Sequence, residues 1–329
     1  MLAVVTGGAG YLGTNLACAL RADGCDVRVV DLREPVTAAR HGAAWVRADV
    51  RDAAAMRAAF AGADIVYHLA AVISIVGGLR GLVESVNIEG VRAVAAAALD
   101  AGTPRLVHCS SVHAFDLAGC AGRTVDESAP RATRPALPVY DRSKAAGEAV
   151  LRAAVDRGLD AVVIHPSGVL GPVDEAPSRM GAVLLAMWRG WFPALAGGGF
   201  CWADVRDVVD ALRAAAARGR TGESYLVPGT RCSIVDLAAL AAASSGRRVT
   251  SRVAPGWLVR AAAPVSTVLA RRTGSALLPT REAVHALDTF PVISGAKAAR
   301  ELDCRPRPLA DSVTDLYRSY VADGRLRGG

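Results

Sequence analysis

The apolar positions of the first 170 or so residues fall into short continuous runs separated by stretches of helical period. Leu2 to Val5 is wholly apolar, the pattern of a strand buried on both faces of a parallel sheet. Leu12, Leu16, Ala19 and Leu20 then recur at the spacing of one helix face. Further strand-like runs cover Asp26 to Val30, Trp45 to Ala48, Asp64 to Leu69, Arg105 to Cys109 and Asp160 to Ile164. Helical patterns lie between them: Ala53 to Ala61, a long one from about Leu79 to Ala101, and one from Tyr140 to about Arg157. A polar loop, Asp116 to Pro138, precedes the last of these. This alternation predicts an α/β fold with a doubly wound parallel sheet.

The second half is less regular. Helices are expected over Met180 to Trp188, Asp207 to Arg218, Ser233 (as N-cap) to Ser244, and Pro308 to Ala322. Strands are expected at Trp202 to Val205 and Tyr225 to Val227. The division expected is a first domain over 1–172, to which about 200–227 returns, and a smaller, partly interleaved C-terminal lobe over 173–329. Trp257 to Leu269 is apolar but interrupted by Arg260 and Pro264. It is expected to form a helix pair covering a substrate, with a helix on a membrane surface as the alternative. The last residues, Leu326 to Gly329, are expected to be a disordered tail.

Composition narrows the partners. Apolar residues make up 52% of the chain and charged ones 21%, an ordinary globular balance. The net charge is +7, but the arginines are scattered apart from pairs such as Arg247–Arg248 and Arg271–Arg272. No basic stripe interleaves with aromatics, which argues against nucleic acid. The seven cysteines form no CxxC pair, so neither a disulfide framework nor a metal site is indicated. Reduced thiols in a cytoplasm fit best. The chain runs straight into its first strand without a signal-peptide pattern, and no stretch reaches the length of a membrane span.

The candidate chemistry sits at the predicted strand ends. Thr6 to Gly13 carries four glycines in eight positions, between a strand and a helix. Gly7 and Gly10 let backbone approach a pyrophosphate, Gly13 lets the helix pack on the sheet, and Tyr11 and Leu12 open that helix. The free N–H groups there favour phosphates; a tight turn without a ligand is the plain alternative. Asp31 follows Gly13 by eighteen positions (31 minus 13), near the spacing of an acid that accepts from adenosine ribose hydroxyls. NAD is therefore expected, and Arg33 leaves NADP open. Asp49 and Val50 follow the third strand, where Asp49 also reads as a helix N-cap. Leu69, Ala70 and Ala71 close the fourth strand and let a cofactor lie against backbone.

Tyr140 and Lys144 stand four apart, one turn along a helix face. An ammonium beside the phenol favours phenolate, and a tyrosine so tuned can move the proton of a hydroxyl while a nicotinamide exchanges hydride. Ser111, at the end of the fifth strand, is placed to hold the same oxygen. Asn87, unusual inside a helix, is expected to anchor a water linking Lys144 to solvent. His165 and Gly168 follow the sixth strand, His165 expected to reach the nicotinamide or substrate. His113 lies two residues past Ser111, as a substrate contact or an idle loop histidine. Apolar pocket candidates are Val72, Ile73, Met180, Leu184, Met187, Trp188, Trp191, Phe192 and Trp202, about half expected to be core instead.

With Thr6–Gly13, Asp31, Asp49, His68–Ala71, Asn87, Ser110–Ser111, Tyr140–Lys144, Gly171–Pro172 and Asp204–Val208 in this order, the chain resembles an extended short-chain dehydrogenase/reductase of the NAD-dependent epimerase/dehydratase group. The resemblance implies a Rossmann-type NAD(P) domain, a smaller substrate lobe and a homodimer. It implies Tyr140 as acid/base, Lys144 as its activator and ribose ligand, and Ser111 as ligand of the substrate oxygen. Sugar-nucleotide members carry an Arg and an Asn near the positions where this chain has His165 and Gly168. The stretch Asp204–Val208 with Gly222 to Val227 looks more like the dihydroflavonol-reductase and 3β-hydroxysteroid-dehydrogenase branch. The resulting expectation is ketone–alcohol interconversion on a largely apolar small molecule. A nucleotide-sugar epimerase or dehydratase with retained NAD, and a non-catalytic NAD(P) sensor, stand as alternatives.

Overall fold

The computed structural model describes residues 1–327; Gly328 and Gly329 of the expected tail lie outside the described residues. Seven parallel strands form the main sheet in the spatial order Ser224–Val227, Ala161–Pro166, Leu106–Cys109, Ile65–His68, Leu2–Thr6, Asp26–Asp31 and Ala44–Arg47. The chain starts mid-sheet, moves outward through two strands and then returns to the other side at Ile65–His68. Strands Leu2–Thr6 and Ile65–His68 are neighbours whose connections leave in opposite directions, which opens a crevice at their carboxyl ends. The fold is thus a Rossmann-type, doubly wound parallel sheet.

The period of two in each strand feeds two cores. Ala3 and Val5 join Leu16, Leu20, Val208 and Leu212 on one face; Val4 joins Met56, Phe60, Val94 and Leu151 on the other. Helices Tyr11–Ala22 and Val205–Arg218 cover the first face, and Ala53–Phe60, Val91–Asp100 and Val139–Val155 the second.

A second sheet of three strands stands beside the first. Gly199–Asp204 is central, parallel to Gly168–Leu170 and antiparallel to Thr230–Ser233. Sequence patterning found only the central strand, placing its start three residues late and its end one residue late. The flanking strands are three and four residues long, too short for an alternation to register. Under this sheet Leu184, Trp188, Phe200, Trp202, Leu237 and Tyr320 make a separate core.

Other departures have local causes. The long helix expected from Leu79 begins at Leu82, because Leu79 and Arg80 take positive φ. It then widens into a π-helical turn over Ser85–Gly90 that carries Asn87. Asp49 is not the N-cap of the next helix: Asp52 is, accepting from Ala54 N and Ala55 N. Pro264 does not interrupt the apolar stretch, since helix Gly256–Thr273 runs through it. Only the Arg260 carbonyl forgoes its helical donor there. The described end of the tail is not disordered. Leu326 is buried in the second core, and Arg325 N and Leu326 N donate to Tyr320 O at 2.8 and 3.1 Å.

Candidate functional site

One cleft of about 1200 Å³ runs from the glycine turn, across the carboxyl ends of the strands, to the space under the C-terminal helices. That exceeds the ~300–1,000 Å³ of an ordinary small-ligand pocket and leaves room for a dinucleotide and a second molecule.

The glycine turn fits a diphosphate by its shape. Gly7 has φ +71°, and a Cβ there would lie 2.6 Å from Ala70 N. A Cβ at Gly13 would run into the Gly7 carbonyl oxygen, so this residue sets how closely the first helix seats. Tyr11, Leu12 and Gly10 line the cleft, and the Tyr11 hydroxyl donates to Gly171 O at 2.8 Å, tying the turn to the loop after the small sheet's first strand. Asp31 ends its strand with Oδ2 accepting from Ala9 N at 3.1 Å and Oδ1 from Arg33 N at 3.0 Å. Each oxygen keeps lone-pair capacity for a hydroxyl, as an NAD ribose requires. Arg33 is exposed at the cleft's edge. Asp49 lines the cleft but pairs with Arg51, 2.5 Å away, whose guanidinium also donates to Ser85 Oγ at 3.0 Å; that pair holds the Asp49 carboxyl below its usual range. Val50, Leu69, Ala70, Ala71 and Gly168 line the same cleft.

Beyond the cofactor end stand Ser111 and Tyr140. Both are buried and line the cleft, and Ser111 Oγ accepts from His113 N at 3.2 Å. Tyr140 is the second residue of helix Val139–Val155, which seats hard against the π-turn: a Cβ at Gly147 would strike the Asn87 carbonyl oxygen. Burial pushes the Tyr140 phenol well above its ordinary pKa, with Ser111 opposing. The expected lowering by Lys144 is not the governing effect. Lys144 is itself buried, its Nζ donating to Cys109 O at 3.2 Å, and desolvation lowers its own pKa.

The expectation for His165 fails here, and the Asn87 amide is bound by protein groups. Its Nδ2 donates to Val72 O and Ser143 Oγ, both at 3.0 Å, and its Oδ1 accepts from Val72 N at 2.8 Å. It clamps the cleft-lining Val72 to the tyrosine helix. His165 does not reach the cleft. It is fully buried between its strand and helix Val139–Val155, where Nε2 lies 2.7 Å from Glu148 Oε1 and Phe115 tilts over the ring at 4.9 Å. Ser110 donates to the same carboxylate oxygen, and Arg131 lies 3.3 Å from the other. Burial alone would raise the Glu148 pKa, but His165, Arg131 and Ser110 together hold it below its ordinary range.

The far end of the cleft is apolar. His113 stands edge-on to Tyr140 (5.7 Å), stacks on Phe200 (5.4 Å), and Phe200 meets Trp202 (5.8 Å). The His113 Nδ1 lies 3.1 Å from Asp141 Oδ1. Ile73, Val72, Met180, Met187 and Phe192 line the space, whereas Leu184 and Trp188 are core and Trp191 is exposed outside it. Sequence patterning missed Phe200, which the alternation with Trp202 puts on the same strand face. Val259, inside the stretch expected to cover a substrate, does line the space, but Leu277, Leu278 and Leu287, from the turn after helix Gly256–Thr273 and from helix Arg281–Thr289, were missed. No local signal marks a turn that reaches a site some 140 residues upstream. Arg179 and Glu282 line the cavity as charged residues. Each is surrounded enough that burial lowers the Arg179 pKa and raises that of Glu282, and the Arg179 charge also acts on Tyr140. No ion pair closes on the Arg179 guanidinium among the described residues.

Comparison with known proteins agrees with this geometry. The family model described as NAD dependent epimerase/dehydratase family matches residues 3–227. Sterol demethylase protein B of Methylococcus capsulatus is 36% identical over 236 residues, 71% of each chain. A 4-hydroxy-2-methyl-3-oxo-4-farnesyl-3,4-dihydroquinoline-1-oxide ketoreductase of Stigmatella aurantiaca is 31% identical over 99% of this chain and 98% of its own. The solved structure of gox2253 superposes with a TM-score of 0.84 at 28% identity, covering 99% of both chains.

Proposed function

Given that the chain belongs to the NAD-dependent epimerase/dehydratase family, as an enzyme of the extended short-chain dehydrogenase/reductase type, we propose that it interconverts a ketone and a secondary alcohol on a largely apolar, alicyclic or isoprenoid small molecule. The observation that carries the reading is the aromatic and aliphatic wall, His113–Phe200–Trp202 with Met187 and Leu287, which begins beside the Tyr140 ring. A sugar nucleotide would find few partners along it. The names of two relatives, a sterol demethylase component and a farnesyl-quinoline ketoreductase, point to the same substrate character.

NAD supplies the hydride acceptor or donor when bound. The glycine turn holds its diphosphate and Asp31 its ribose; Asp31 is the reason for assigning NAD over NADP. Ser111 orients the substrate oxygen and Tyr140 holds or takes its proton. A buried phenol with a raised pKa is protonated over the neutral range, ready to donate to the oxygen of a ketone. Lys144, whose Nζ donates to Cys109 O, lies one turn from Tyr140 at that end of the cleft. In this reading 1–172, with about 200–227, carries the cofactor and 173–329 mainly the substrate, and the protein works as a cytoplasmic homodimer.

Absorbance of NADH followed across a panel of cyclic ketones and secondary alcohols tests the proposal. A net change with apolar alicyclic compounds is expected. Turnover of nucleotide sugars with no net change in NADH would overturn it in favour of epimerisation.

A further inference from the structure

Helix Gly256–Thr273 is built inside out. Ala263 and Ala270 are its buried residues, while Trp257, Leu258, Val265, Val268 and Leu269 are 68%, 48%, 73%, 50% and 47% exposed. At ~100° per residue these five fall within an arc of about 120°, opposite the buried alanines. Val253, just before the helix, is a further 49% exposed. A contiguous apolar face of this kind on a folded protein marks an interaction surface.

The charges around the face say what covers it. Residues 237–281 contain seven arginines (247, 248, 252, 260, 271, 272 and 281) and no Asp, Glu or Lys, so this stretch alone equals the +7 of the whole chain. Arg248, Arg252, Arg260, Arg271 and Arg272 are exposed. The acid nearest to any of them is Asp288, 3.5 Å from Arg260 in an exposed pair. A second copy of this chain docked about a two-fold axis would set these arginines against themselves. An anionic lipid surface would complement them, with tryptophan and leucine entering the headgroup boundary.

We propose that this helix docks the protein peripherally on an anionic membrane surface, its apolar arc in the interface and its arginines on the lipid headgroups. Among the described residues no helix is long and apolar enough to cross a membrane, so the contact is one of lying on the bilayer. The inner side of the same segment, through Ala254 and Val259, walls the apolar end of the cleft. If the substrate is apolar, docking brings that wall to where such a molecule partitions; this clause rests on the function proposed above, and the docking itself does not.

Flotation of the full chain with phosphatidylcholine vesicles and with vesicles containing 30% phosphatidylglycerol tests the docking without any substrate. Binding to the anionic vesicles, weakened by salt, is expected. The double variant Trp257→Ser/Val265→Ser should bind them about tenfold more weakly while keeping NAD binding and the melting temperature. Arg248→Gln/Arg252→Gln/Arg272→Gln, which leaves the apolar arc intact, should lower binding to anionic vesicles and not to neutral ones. Equal binding by wild type and both variants, or no binding by the wild type, would overturn the proposal. So would an apolar-face variant whose only change is a smaller oligomer by light scattering, since the face would then be a subunit contact.

Discussion

The cofactor end of the cleft is made of backbone, and the far end of side chains. At the cofactor end Gly7, Gly10, Gly13, Ala70 and Ala71 leave main chain exposed to the ligand, and the fit depends on atoms that no rotamer can move. At the far end Phe200, Trp202, Met187, Leu277 and Leu287 arrive from four separate segments and fill the space by packing. A wall of backbone recognises one shape and tolerates no added carbon. A wall of side chains can be re-cut one residue at a time, which is how a shared cofactor site comes to serve different substrates.

Tyr140, at the seam of the two ends, is where the contrast breaks hardest. Tyr140→Phe should lower kcat about 10²–10⁴-fold and leave NAD affinity, read by fluorescence titration, unchanged. Retained turnover would remove the proton-transfer role. Gly13→Ala should weaken NAD binding by about 10–100-fold, because the helix must shift to clear the Gly7 carbonyl at a cost typical of overpacking. A variant with intact NAD affinity would show that the turn can yield, and the contrast between the two walls would lose its basis.

Glu148 tests what holds the seam together from behind. Its folded pKa lies below the ordinary value, so its contribution to stability is full above the ordinary carboxylate range and is lost as pH falls through the folded pKa. Glu148→Gln should cost about 1–3 kcal/mol at pH 7, and its melting temperature should fall less than that of the wild type below about pH 4.5. Identical acid limbs in the two proteins would locate the acid sensitivity in another carboxylate. The smallest effect is expected in the side-chain wall. Arg179→Met should raise KM about tenfold for substrates bearing a second acceptor oxygen near the reacting carbon, with little change for those without one and in kcat. Equal effects on both substrate sets would mean that Arg179 serves only to balance Glu282.

How much of this was legible in the chain follows from the same contrast. Gly7, Gly10, Gly13, Asp31, Ser111, Tyr140 and Lys144 could be picked out as neighbours of one cleft, because each is a telling residue type at a local spacing on a predicted element. His165 was misread because its partner, Glu148, sits on a helix packed against its strand and no local spacing names it. Asn87 was correctly picked out as special, yet its partners, Val72 and Ser143, are 15 and 56 residues away and no spacing names them. Arg179, Phe200, Leu277 and Leu287 lie beyond the reach of local patterning, since their importance is only that the fold brings them together.

The order of strands and helices, the glycine turn and the tyrosine–lysine pair were determined by the sequence alone, since periodicity and short-range geometry suffice for them. The second sheet, the buried Glu148–His165–Ser110–Arg131 cluster, the inward lining of the C-terminal helices and the outward apolar face of Gly256–Thr273 were decided only in three dimensions. Each depends on contacts between segments far apart in the chain, and a one-dimensional pattern carries the period of a face but not the identity of what it will meet.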